Sequence, residues 1–248
     1  MTDSGLPLAE TLPEKIAAGL AEGVVSGKYQ PGERLVEAVL VKEFGVSHGP
    51  VRDALRILQN SGLVVIHPYR GAEVTALSVR EVQEIYQVRA ALVGLRARWI
   101  AEDKARAELI ARVEGPIARL AQLAQSQSGA DEYIAVALSI NRAFTEGLSN
   151  RWLRSMLQAL TLQTSRYTRL ALTTAVRRRE SARLWQTLLD AIRSGDGERA
   201  QNIASTISLA TRDAAIKSLE QMETESTAHG NQATHRSNSR SPGTARTG

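Results

Sequence analysis

The residues best suited to grip another molecule stand in one short stretch, Phe44 to Leu55, FGVSHGPVRDAL. Ser47, His48, Gly49, Pro50 and Arg52 fall at the start of a helix that Ser47 can cap and whose first turn suits Pro50, where a missing N–H costs nothing. A hydroxyl, an imidazole and a guanidinium spread over one turn offer hydrogen bonds to base edges and phosphates. Tyr69, Arg70 and Gly71, in HPYRGAEV, put a second basic point on a hairpin turn. Arg34, Lys42 and Arg56 are phosphate candidates, although each is also a type that solvated surfaces carry.

Catalysis has much less to work with. The chain has no Cys, and its four His are His48, His67, His229 and His235, so residues 78–228 contain neither imidazole nor thiol. A zinc- or nickel-type site has no nitrogen or sulfur ligand there, and the acids Asp131, Glu146 and Asp190 show no calcium-site spacing. There is no Gly-rich phosphate loop and no G-x-S-x-G stretch. The expectation is a binding protein rather than an enzyme, without metal or cofactor.

The elements that must position these residues read as follows. Pro13 to Ser26 carries Ile16, Leu20 and Val24 at helical spacing; GKYQPGERL reads as turn; Val36 to Phe44 resumes a helix. Gly45 is the bend, and Val51, Ala54, Leu55 and Leu58 form the buried face of the next helix. Leu63 to His67 and Ala72 to Thr75 read as a hairpin. From Val79 the pattern changes to long amphipathic helices: Val79 to Glu102, Ala105 to Gln127 with a kink expected at Pro116, Asp131 to Leu148, Arg151 to Leu172, Arg179 to Ser194 and Asp196 to Met222. The fold class is mainly α, with residues 1–77 a winged helix-turn-helix, 78–223 an all-helical bundle and 224–248 a disordered polar tail.

Composition bounds the rest. The net charge of +5 is compatible with an anionic partner, but residues 1–77 hold seven Lys and Arg against nine acids, so position rather than total charge must carry any DNA argument. Absence of Cys fits a reducing compartment, and the start MTDSGLPLAE lacks the basic-then-apolar pattern of a signal peptide. A cytoplasmic protein with no membrane segment is expected.

The stretch SGKYQPGERLVEAVLVKEFGVSHGPVRDALRILQNSGLVVIHPYRGAEV resembles the winged helix-turn-helix of GntR-type bacterial transcription regulators, through PGERL, FGVS, PVRDAL, SGLV and RGAEV. IYQVRAALVGLRARWIA, NRAFTEGLSN and LLDAIRSGDGERA resemble the all-helical FCD effector domain of the FadR branch. The resemblance implies a homodimer on operator DNA with an inverted repeat, contacted by Ser47, the two residues after it, Arg52 and the wing around Arg70 and Gly71. The family commonly has Arg then Thr where this chain has His48 and Gly49, so its operator should differ.

Many FCD domains hold a divalent metal through one Asp and three His. At those positions the resemblance aligns Asn141, Thr145, Trp185 and Ile207, so the metal set is expected to be lost. The remaining space is expected either to be filled by Trp185 and Ile207 or to take a small organic acid or apolar metabolite. Arg89, Arg96, Asn141, Arg142, Thr145 and Trp185 are then the candidate contacts, an Arg fork suiting a carboxylate. The function implied is effector-controlled repression of transcription. Two alternatives stand beside it: a constitutive DNA binder with a filled effector domain, and a pure dimerisation module with a vestigial wing.

Overall fold

A computed structural model describes residues 10–126 and 129–237. The chain begins with α1, Leu12–Ser26, opened by a reciprocal cap in which Glu14 N–H donates to Thr11 Oγ1 and Thr11 N–H to a Glu14 carboxylate oxygen. It stops at Gly27, whose φ of 86° suits a residue without Cβ. Lys28 and Tyr29 then bind Glu43 at the end of α2, Glu37–Phe44. The Lys28 ammonium holds the Glu43 carboxyl below its ordinary range, so the loop after α1 is tied to α2 by a charge-assisted bond. Gly45, with φ 65°, turns the chain toward α3, His48–Asn60.

The α1, α2 and α3 helices share one core. Leu20, Leu40, Val51, Leu55 and Leu58 are all buried in it, each adding roughly 1.5–3 kcal/mol of burial. The wing follows as β2, Val64–His67, and β3, Gly71–Val74, paired antiparallel with Ile66 opposite Ala72. A short strand β1, Arg34–Leu35, adds to the other edge of β3, with Leu35 opposite Ala72, so the sheet order is β1-β3-β2. The turn residues of GKYQPGERL conceal this strand. Two residues are too few to display alternation, and the pairing is made with a partner nearly forty residues away.

The second part is a bundle of six helices: α4, Val79–Glu102; α5, Arg106–Leu123; α6, Ala130–Glu146; α7, Arg151–Ala171; α8, Ala175–Ser194; and α9, Gly197–Ser237. Ser78 caps α4 with Glu81 in the same reciprocal manner as Thr11 caps α1. Pro116 lies inside α5. Helix α8 begins four residues before its expected start, because Thr174 accepts from the Arg177 N–H; the run of Arg reads as polar, yet Arg177 and Arg178 are buried. Helix α9 continues to Ser237, past the Thr224 boundary at which an unpatterned tail was expected. Once a helix is nucleated, each added residue gains a backbone bond without needing an apolar face. Residues 238–248 lie outside the described residues.

The bundle core runs through Ile117, Leu120, Tyr133, Ile140, Phe144, Leu157, Trp185 and Leu189. A smaller cluster of Val82, Tyr86, Tyr167, Ala171 and Ala215 joins α4, α7 and α9. Helix α7 also reaches the first domain. Leu162 packs on its core, Gln163 Nε2 donates to the Ser61 carbonyl at 2.8 Å, and Arg166 Nη1 donates to the Thr75 carbonyl at 2.8 Å. Tyr167 Oη accepts from the Leu77 N–H at 3.2 Å.

Candidate functional site

The first turn of α3 projects from the domain. Ser47 occupies the N-cap position with extended backbone, but its hydroxyl makes no capping bond, contrary to the expectation from its residue type. Ser47, His48, Gly49 and Arg52 are exposed, Pro50 is half-buried, and no acid stands in the first turn of α3. The unbonded N–H groups and the positive end of the helix dipole therefore face outward with nothing of the same helix to neutralise them. The buried side of α3 is the expected one, Val51, Ala54, Leu55 and Leu58.

Arg52 is not loose. Its Nε donates to Glu37 Oε2 at 2.9 Å, and His48 Nδ1 lies 3.6 Å from the same oxygen. Glu37, the first residue of α2, thus holds the two base-reading candidates of α3 together. It escaped the sequence reading because its distance to Arg52 depends on how α2 crosses α3. Arg56 pairs with Asp53 at 3.3 Å on the exposed face of α3. Lys42 is exposed on α2 and Arg34 on β1, so the sheet brings Arg34 to the wing.

The wing tip is formed by Pro68, Tyr69 and Arg70. Tyr69 is fully exposed and has φ 63°, an uncommon left-handed backbone for a residue with a Cβ. Gly71 has φ 83°, which only glycine adopts freely, and Arg70 N–H donates to the His67 carbonyl at 3.1 Å to close the turn. An aromatic and an arginine are thereby held out at one end of the sheet.

In the bundle, four of the six ligand candidates, Arg96, Asn141, Thr145 and Trp185, gather around one guanidinium, while Arg89 and Arg142 lie apart from them. Arg96 Nη1 donates to Thr145 Oγ1 at 2.8 Å and to the Asn141 carbonyl at 3.2 Å, and its Nη2 donates to Asn141 Oδ1 at 3.1 Å. The guanidinium lies 5.4 Å from the centroid of Phe144, whose ring meets Trp185 at 5.9 Å. Arg89 is buried on the same face of α4 two turns away, with Nη1 donating to Ser208 Oγ at 3.2 Å. Arg142 is exposed and points away from that cluster, onto a cleft of about 870 Å³. The cleft runs between α1 and α3 on one side and α6 and α7 on the other, and Asn141 and Thr145 form part of its wall. Ser208, on α9, accepts from Arg89 but was not anticipated.

A metal does not fit these side chains. Two of the four aligned positions, Asn141 and Thr145, already accept from a guanidinium, whose positive charge would repel a cation. Trp185 is buried against Phe144, and Ile207 packs on the bundle core, so neither offers a donor. Among the described residues no three His, Cys, Asp or Glu gather as a metal set.

Comparison with known proteins gives two family matches: the bacterial regulatory proteins of the gntR family over residues 12–74, and the FCD domain over residues 84–210. The chain is similar to the uncharacterized HTH-type transcriptional regulator BphR of Paraburkholderia xenovorans (strain LB400), 30% identical over 212 residues, covering 81% of this chain and 84% of that one. It is also similar to the galactonate operon transcriptional repressor of Escherichia coli (strain K12), 26% identical, covering 78% and 92%. The match to the HTH-type regulator YdhC of Bacillus subtilis (strain 168) is 29% identical and takes in 56% of this chain, spanning 62% of that relative. A match to a regulator of Agrobacterium vitis spans 50% of its relative. Among solved structures, E. coli McbR/YncC superposes with a TM-score of 0.69 at 20% identity, covering 81% of this chain and 95% of that one, a likeness of fold. Among the described residues no helix is long and apolar enough to cross a membrane.

Proposed function

This chain belongs to the gntR family of bacterial regulatory proteins, with an FCD domain behind its winged helix, and from that premise we propose that it is a cytoplasmic, homodimeric transcription regulator. It reads an inverted-repeat operator and acts as a repressor. The observation that carries this reading is the exposed first turn of α3, with Ser47, His48 and Arg52 presented beside a wing tip bearing Tyr69 and Arg70. A recognition helix whose N-terminal residues face the major groove, with a hairpin beside it, is the docking mode such an arrangement suits. Arg34, Lys42 and Arg56 supply phosphate contacts, and Gly49, Pro50 and Gly71 let the backbone approach the duplex closely.

Operator affinity is controlled by a small organic acid in the helical domain, contacting Arg89, Arg96, Asn141, Arg142 and Thr145, with Trp185 against its apolar part. Support comes from two buried guanidinium groups that no carboxylate of the described residues neutralises. One relative is named for a galactonate operon, which concerns a sugar acid. The packing of Trp185 on Phe144 favours a second reading, a constitutive DNA binder with a filled bundle.

The test is selection of bound sequences from random duplexes by purified protein, run beside Arg52→Ala and His48→Arg. The expected result is an enriched inverted repeat, weakened about 10- to 100-fold by Arg52→Ala and changed at one position per half-site by His48→Arg. If the folded protein enriches nothing at low salt, the DNA-binding reading fails.

A further inference from the structure

Arg89 and Arg96 stand two turns apart on one face of α4 and are both withdrawn from water, at 5% and 2% exposure. A guanidinium in the interior needs an opposite charge or a full set of acceptors. Neither group has the charge: no carboxylate of the described residues pairs with either. Every acceptor is neutral, namely Thr145 Oγ1, the Asn141 carbonyl and Oδ1 for Arg96, and Ser208 Oγ for Arg89. The Nε of each is buried with no acceptor at all. Burial therefore pulls the Arg96 guanidinium down to about 9, and the charge of Arg89 pushes it the same way.

The neutral acceptors do not need Arg96. The Thr145 hydroxyl itself donates to the Asn141 carbonyl at 2.9 Å, and the Asn141 side chain is half-buried on the wall of the cleft, where water reaches it. Arg96 is thus a buried charge whose removal strands little. A residue that costs stability where it stands, and satisfies nothing that depends on it, is the pattern of a functional group. On the Arg89 side the acceptor is again a buried neutral hydroxyl, Ser208.

Access is provided by the cleft of about 870 Å³, of which Asn141 and Thr145 form the wall between open space and Arg96. Asn141 Oδ1, the acceptor of Arg96 Nη2, is therefore the oxygen on the cleft wall whose place a ligand oxygen would take. The opposite wall of the cleft is built from Ala17, Ala21, Ile57 and Ser61 of the first domain. A molecule bound there touches α1 and the end of α3 while its acid group lies against α4.

We propose that Arg96 is the fixed cation of a metal-independent site for the carboxylate of a small organic acid, which enters through the cleft between the two domains and is backed by the second charge of Arg89. The site deepens the effector reading given above and rests on it for its regulatory consequence. The bond made is a two-pronged N–H···O pair from guanidinium to carboxylate. The cation is built into the chain, so no divalent ion is needed to hold the acid.

Thermal unfolding of the full chain tests this, comparing wild type with Arg96→Met in EDTA. The probes are acetate, D-gluconate, citrate and inorganic phosphate at one ionic strength, with chloride as the reference. In chloride, Arg96→Met is expected to melt several degrees above wild type, because the uncompensated charge is gone. At least one carboxylate is expected to raise the wild-type midpoint by about 5 °C at roughly a hundredfold excess over its dissociation constant, and to leave Arg96→Met unmoved. Arg96→Gln, which keeps a donor for Thr145, is the second variant should the Met protein fold poorly. A carboxylate response lost in either variant supports the site. An Arg96→Met protein less stable than wild type, with no probe moving the wild type, makes Arg96 a structural strut and overturns it. A response to phosphate alone, or one that needs a divalent metal in place of EDTA, overturns it as well. Selection of duplex DNA with the same preparations separates the two failures: operator enrichment without an anion response leaves the regulator reading standing and removes only this site.

Discussion

At the scale of single residues, Glu37 is the side chain that links two residues of the proposed recognition turn. It binds Arg52 at 2.9 Å and lies 3.6 Å from His48, so one carboxylate governs two groups expected at the base edges. Arg52 is largely exposed and Glu37 half-buried, and a pair so open to solvent contributes about 1 kcal/mol or less to stability. Glu37→Gln should therefore leave the unfolding midpoint nearly unchanged. Its effect should fall on recognition: base preference at the position read by Arg52 drops several-fold because the guanidinium loses its fixed orientation, measured by competition between operator variants. A large loss of stability with unaltered base preference would sink this role. The place of Ser47, His48 and Arg52 at the start of α3 was legible in the sequence because a glycine bend, a proline and a helix start are local signals. Glu37 was not, since residues fifteen apart meet only through the crossing of α2 and α3.

At the scale of elements, the seam between α4 and α9 is the closest helix contact that the sequence did not reveal. Gly94 faces α9 there, and a Cβ added to it would lie 2.5 Å from Ser205 Oγ and 3.2 Å from the Gln201 carbonyl oxygen. Ser205 cannot simply turn aside, because its hydroxyl donates to the Ala90 carbonyl at 2.9 Å. Gly94→Ala should destabilise by about 1–3 kcal/mol through overpacking, read as a lower urea midpoint at unchanged slope. In the sequence, Gly94 reads only as a mildly unfavourable residue in the middle of a helical pattern. Its reason, a backbone that must come close to α9, belongs to the packing. The ends of α4, by contrast, were read correctly from Ser78 and Glu102, since caps and periodicity act within a few residues.

At the scale of the whole molecule, α7 joins the two domains. Gln163 and Arg166 donate to the carbonyls of Ser61 and Thr75, the residues that follow α3 and β3. The fit is close: Gly62, with φ 73°, leaves room for the Gln163 amide, which a Cβ would meet at 2.8 Å. The double variant Gln163→Ala, Arg166→Ala removes two bonds of about 1 kcal/mol each. Calorimetry should then resolve two unfolding transitions where the unaltered chain has one. A single transition in the variant would mean that Leu162 and the Tyr167 contact suffice to couple the domains. The same helix lines the cleft through Thr161 and Ser165, so a molecule seated there would touch the element that joins the two domains.

The sequence by itself determined the helices and hairpin of the first part, the start of α3, the long helices that follow and the lack of His and Cys in residues 78–228, because each rests on short-range patterns or on residue types that are simply absent. It also pointed to Arg89 and Arg96. Only the tertiary structure decided that these two are buried without a counter-charge, that Arg96 donates to Asn141 and Thr145, that β1 completes the wing, and that a cleft opens between the domains. An arginine on a helix has the same local signature whether it faces water or the interior; its environment is set by which helices pack beside it, and that depends on contacts made across the whole chain.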